Sequence, residues 1–82
     1  MTIITIITRD REWTADEQAI LNAATANAVS AGTTTGLGAV TSETTHPRTT
    51  IRIWTTTEAA NAYVAVVNGF TPPPPEAVVQ TI

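Results

Sequence analysis

Apolar and polar positions alternate along residues 49–55, and this pattern predicts a β-strand. One side of the strand carries Ile51 and Ile53, and it is plainly apolar. The other side carries Arg52 and Trp54, a fixed charge beside a large ring. We expect the isoleucine side to pack against the helices, which would turn Arg52 and Trp54 towards a partner subunit.

A second strand, residues 2–8, is apolar on both sides. Ile3 and Ile7 share one side, and Ile4 and Ile6 share the other. Such a strand is typical of the middle of a sheet that is covered on both faces. The chain is long enough for one layer of helices, so we expect a second copy of the chain to cover the other face.

Two helices are predicted, and each opens with Thr-x-x-Glu, the pattern of a capping box. The first begins after Thr14 and ends near Ala31, with Gly32 as its stop. Its buried stripe is predicted to comprise Ile20, Ala23, Ala24, Asn27 and Ala28, with Leu21 and Val29 at the borders.

The second helix begins near Glu58, with Thr55 or the rival Thr57 as its cap. Gly69, in the left-handed conformation, is its predicted end. Its buried stripe is predicted to comprise Ala59, Ala60, Tyr63, Val66 and Val67.

The remaining segments complete the order β-α-β-β-α-β. Residues 33–45 form a weaker strand in which Gly36 and Gly38 predict a bulge, and residues 76–82 form a short final strand. This order predicts an α+β, ferredoxin-like fold over a single domain, 1–82. Its four-stranded antiparallel sheet would have the two isoleucine strands at its centre and both helices on one face.

The composition of the chain bears on its oligomeric state, its partners and its location. A chain of 82 residues buries only about 60–65% of its unfolded surface, and it has no cysteine to add a disulfide or a thiolate metal site. A homodimer is therefore expected. The net charge of −3, with four arginines and no lysine, is not that of a nucleic-acid-binding protein. Without a long apolar run or a signal-peptide pattern, we expect a soluble, cytoplasmic protein with no membrane partner.

Few residues are candidates for chemistry, and neither a metal site nor a cofactor is expected. Arg52 and Trp54 form either a packed interface or a pocket wall that stacks on a small aromatic ligand and holds its anionic group. Tyr63 is expected in the core with its hydroxyl at a rim. His46, beside Pro47, is expected to be a solvated turn residue. Glu43 is its nearest carboxylate in sequence, and residues 9–12 alternate in charge like a solvated turn.

Residues 51–60, IRIWTTTEAA, resemble the dimeric α+β barrel superfamily, which includes proteins like the antibiotic-biosynthesis monooxygenases. In that superfamily a strand bearing an aromatic residue runs directly into a helix that opens Ser/Thr-x-Glu-Ala. The resemblance implies a homodimer with two sheets face to face and a cleft between helices and sheet. Some members oxygenate aromatic molecules without a cofactor, and others degrade haem. The haem-degrading members carry a histidine on the second helix, which residues 58–68 lack.

Three functions remain open. We expect a small non-catalytic homodimeric module for binding or assembly. The alternatives are a cofactor-free monooxygenase-like enzyme acting on small aromatic molecules, and a virion or other structural subunit. Apart from His46, the chain has no side chain that is expected to titrate near neutral pH, which favours the first hypothesis.

Overall fold

The computed structural model describes residues 1–41 and 45–82, except for the side chain of Leu37. The elements are β1 (Ile3–Arg9), α1 (Ala15–Ala31), β2 (Thr34–Val40), β3 (Arg48–Trp54), α2 (Thr57–Asn68) and β4 (Glu76–Thr81). In this part of the chain the strands form one antiparallel sheet with the order β2-β3-β1-β4. The α+β class is confirmed, and the arrangement is compatible with the ferredoxin-like fold.

The central strand β1 separates two sets of isoleucines, as its sequence predicts. Ile3 and Ile7 pack in the core beneath the helices, and we call this the helix side of the sheet. Ile4 and Ile6 lie on the opposite side, across from Ile53 and Ile51 of β3. With Val78 of β4, these five residues form what we call the open side.

The predicted orientation of β3 was wrong. Trp54 lies on the helix side, where it is 5% exposed and packs in one cluster with Ile3, Ala28 and Ala60. The alanines of α1 and α2 leave room for the indole ring between the two helices and the sheet. Because side chains alternate along a strand, Ile51 and Ile53 must occupy the other side.

The two helices differ in how well the sequence predicts their buried residues. The α2 stripe is confirmed, because Ala60 and Val67 are almost fully buried. The α1 stripe was right for Ala28, which is buried, but wrong for Ile20, which is 49% exposed while Leu21 packs on the sheet instead. Apolar residues are spread around the whole α1 surface, so their spacing does not define one face. No helix in the described residues is long and apolar enough to cross a membrane.

The ends of α1 match those predicted from the sequence, whereas the ends of α2 do not. Thr14 and Glu17 form the predicted capping box, and Gly32 is left-handed with φ 72°. At α2 the cap is Thr56, whose hydroxyl accepts a hydrogen bond from the Ala59 amide at 3.1 Å. Gly69 has φ −80°, so the predicted left-handed ending of α2 was wrong.

Candidate functional site

A cavity of about 390 Å³ lies between α1 and the helix side of the sheet, and we call it the α1 cavity. β1 and β3 contribute its floor, and α1 contributes polar side chains to one wall. The described residues that line it are Thr5, Ile7, Arg9, Trp13, Gln18, Leu21, Asn22, Thr25, Ala26, Thr50, Arg52 and Tyr63. Its volume lies within the range of small-molecule sites, at the lower end.

Arg52 reaches the cavity from the middle of β3, where it lies opposite Thr5 of β1. The side chain is half-buried, and its Nε is shielded from solvent without a hydrogen-bond partner. The strand parity that puts Trp54 in the core therefore also turns Arg52 beneath α1, away from the open side. This places a fixed positive charge at the cavity floor.

Arg9, at the end of β1, brings a second guanidinium to the same cavity. Its carbon Cζ lies 5.0 Å from the centre of the Trp13 ring, a cation–π contact. Burial and the nearby Arg48 charge lower the pKa of Arg9, and the Glu12 carboxylate opposes them only in part. The predicted solvated turn at residues 9–12 was therefore wrong for Arg9, which is half-buried.

Arg11 and Glu17 form an ion pair at the N-terminus of α1, which we call the clamp. The two guanidinium nitrogens of Arg11 donate to the two carboxylate oxygens of Glu17 at 2.7 and 2.9 Å. Arg11 also donates to the Pro72 carbonyl at 2.9 Å, which ties the clamp to the chain after α2. The hydrogen bonds from Arg11 and from the Thr14 amide lower the pKa of Glu17 to about 2. This clamp holds one end of α1 against the rest of the fold.

Trp54 belongs to the core and does not line the α1 cavity. Its indole nitrogen donates to the Thr5 hydroxyl at 3.0 Å, and its ring lies 5.1 Å from that of Tyr63. Trp54 borders a second, apolar cleft of about 290 Å³ between α1 and α2. Tyr63 is half-buried and borders both spaces.

His46 lies away from the cavity, in the turn before β3. Its Nε2 is 3.5 Å from a carboxylate oxygen of Glu12, which also lies 3.6 Å from Arg48. The side chain is 19% exposed, so it is more enclosed than the solvated position that the sequence favours. Its relation to Glu43 lies outside the described residues. Within the described ranges, no cluster of three or more histidines, cysteines or carboxylates could hold a metal ion.

The structure thus brings two of the four sequence candidates, Arg52 and Tyr63, into one cavity. Trp54 is adjacent in the core, and His46 is separate. Sequence reasoning missed Arg9 and Trp13 as cavity residues. Side chains two residues apart in a strand lie on the same side. Extending the predicted 2–8 strand by one residue would therefore have placed Arg9 on the same side as Ile7.

The resemblance to the dimeric α+β barrel superfamily stays a prediction. It rests on ten residues at the junction of β3 and α2, and those residues do form a strand that enters a helix directly. Comparison of the chain with protein-family models, with curated proteins and with solved structures found no match.

Proposed function

We propose that the protein is a small, non-catalytic binding module that acts as a homodimer and takes a small ligand in the α1 cavity. The cavity is the observation that carries this proposal. An 82-residue domain has little apolar surface to spare, yet this one leaves about 390 Å³ between α1 and its central strands. A cavity of that size, with apolar and polar groups converging on it, suits a small organic molecule.

The lining favours binding over acid–base chemistry. The described lining residues offer hydroxyls, side-chain amides, apolar groups and two guanidiniums. Arginine stays protonated in proteins, whereas a general base needs a pKa near the working pH. His46, the one histidine of the sequence, is not among the lining residues.

The open side of the sheet supports self-association. Its central cross-strand pairs are Ile4 with Ile53 and Ile6 with Ile51, and Val78 beside them is 42% exposed. None of these five residues belongs to the two described core clusters beneath the helices. Ile4 is 6% exposed, whereas Ile6, Ile51 and Ile53 are half-buried. A second copy would bring the same apolar patch, which has no charged residue at its centre, and would remove it from water.

Ligand binding is tested by NMR, with naphthylacetate and its neutral amide, naphthylacetamide, as probes. Addition of a probe to the ¹⁵N-labelled protein should shift the backbone amides of Thr5, Leu21 and Arg52, which surround the cavity. Replacing Thr25 on the cavity wall by phenylalanine should fill the space and remove binding.

The matched control is Ser30→Phe, which adds the same ring to an exposed position on the same helix. This variant should bind like the wild type. If neither probe binds, or if the shifts cluster on the open side, the cavity is not the binding site.

A further inference from the structure

Neither guanidinium of the α1 cavity has a direct ion-pair partner among the described residues, although the Glu12 carboxylate acts on Arg9 from a distance. Neither Arg9 nor Arg52 forms a salt bridge or a hydrogen bond with another described residue. Nη1 of Arg9 and Nε of Arg52 are shielded from solvent as well. A nitrogen that is shielded from water without a hydrogen-bond partner costs free energy, so this arrangement needs a reason.

The other two arginines show that the chain can neutralise its cations. Arg11 binds Glu17 through two hydrogen bonds, and Arg48 lies 3.6 Å from Glu12. The described lining of the cavity contains no carboxylate. The cavity lining thus holds two guanidiniums without a direct ion-pair partner, in a chain whose net charge is −3.

The cavity has two chemically different parts. Arg52 and Arg9 supply donors from the sheet, whereas Ile7, Leu21 and Tyr63 supply an apolar wall. Leu21 and Ile7 pack in the same buried cluster, which fixes that wall. A ligand that matches both parts has a negative charge at one end and an apolar body at the other.

We propose that the α1 cavity binds a small carboxylate with an apolar body, its charged end held by Arg52 and Arg9. The planar guanidinium fork matches the two oxygens of a carboxylate, and such charge-assisted hydrogen bonds are short and strong. The apolar body would then lie against Ile7, Leu21 and Tyr63. This inference rests on the proposed function, because it names the ligand class of the same cavity.

The test compares the two probes, which differ in charge and hardly in shape. Both are titrated into the wild type at low salt, and the dissociation constants are measured by NMR. Wild-type protein should bind naphthylacetate about tenfold or more tightly than naphthylacetamide, because the carboxylate forms hydrogen bonds to charged donors. Added sodium chloride should weaken carboxylate binding and leave amide binding unchanged.

Three variants test which arginines cause the preference for the carboxylate over the amide. Arg52→Gln and Arg9→Gln should each reduce the preference for the carboxylate. Arg48→Gln is the matched control, since it removes one charge from the same region at a residue outside the cavity lining. It should keep most of the preference.

The outcomes separate the two proposals. If both probes bind the wild-type cavity equally, the anion inference fails while the binding function stands. If the preference survives in both Arg52→Gln and Arg9→Gln, the assignment to these residues fails. If neither probe binds, the proposed function fails and the inference fails with it. The comparison of probes in the wild type does not depend on the folding of any variant.

Discussion

The indole nitrogen of Trp54 donates a hydrogen bond to the hydroxyl of Thr5 over 3.0 Å, and both residues are buried. Thr5 is fully buried between Ile3 and Ile7 on the helix side of β1. The bond explains why a hydroxyl is tolerated there, because a buried indole N–H needs an acceptor. Arg52 lies two residues before Trp54 on the same side of β3, so the orientation that allows this bond also turns Arg52 into the cavity.

Replacing Thr5 by valine should therefore destabilise the protein by about 1–3 kcal/mol, since the indole N–H would lose its acceptor inside the core. Urea denaturation of Thr5→Val beside the wild type measures this loss. In a Trp54→Phe background the same replacement should cost much less, because no donor is left unsatisfied. Equal costs in both backgrounds would show that the hydrogen bond does not couple the two residues.

The clamp between Arg11 and Glu17 predicts a dependence of stability on pH. The pKa of Glu17 falls from 4.5 to about 2 on folding, so the folded state holds this carboxylate ionised. Its contribution is complete above pH 4.5 and is lost as the pH falls towards 2. Urea midpoints measured across that window should fall more steeply for the wild type than for Glu17→Gln.

Asp16→Asn is the control for this series, because it removes the neighbouring carboxylate and leaves the Arg11–Glu17 pair in place. It should keep the steep fall in stability. A wild-type profile that matched that of Glu17→Gln would show that the clamp contributes no pH-dependent stability.

The two glycines at the helix ends should respond differently to alanine. Gly32 has φ 72°, a conformation that alanine adopts only with strain, so Gly32→Ala should cost about 1 kcal/mol. Gly69 has φ −80°, and a Cβ there would lie 3.3 Å from the Val66 carbonyl oxygen. Gly69→Ala should cost less than Gly32→Ala in denaturant unfolding. The reverse order would mean that contact at Gly69 matters more than backbone strain at Gly32.

The cap of α2 gives a further test. The Thr56 hydroxyl accepts from the Ala59 amide, so Thr56→Ala should destabilise by about 1 kcal/mol. Thr57, the first residue of α2, is exposed, and Thr57→Ala is the matched control with little effect. Denaturant midpoints for the pair decide the position. A larger loss at Thr57 would move the helix start by one residue.

Local signals predicted the elements well. The capping box of Thr14 and Glu17 depends on residues three apart, and the run of isoleucine and threonine in residues 2–8 is contiguous, so both can be found without tertiary contacts. The Thr55–Thr57 run was ambiguous because three adjacent hydroxyls can each cap a helix. The Thr55 hydroxyl instead donates to the Gly32 carbonyl, a partner 23 residues away.

The orientation of β3 and the composition of the cavity required long-range information. Both sides of β3 carry large apolar groups, so the alternation alone does not say which side meets the helices. The answer depends on the register of Trp54 opposite Ile3 and on the alanines above it. Likewise, the carboxylate partner of Arg11 is Glu17, six residues further along the chain, whereas the alternating charges of residues 9–12 predicted a solvated turn.

The proposed homodimer makes the last prediction. Light scattering at micromolar concentration should give about twice the chain mass of 8.6 kDa. Ile51, half-buried on the open side, should tolerate glutamate in a monomer, where the carboxylate can reach water, but not in a face-to-face dimer, where it would be desolvated. Ile51→Glu should therefore run as a folded monomer. Val29→Glu, which adds the same charge to a residue of α1 that is 59% exposed, should stay dimeric. A monomeric wild type, or a dimer that survives Ile51→Glu, would exclude the open side as the interface.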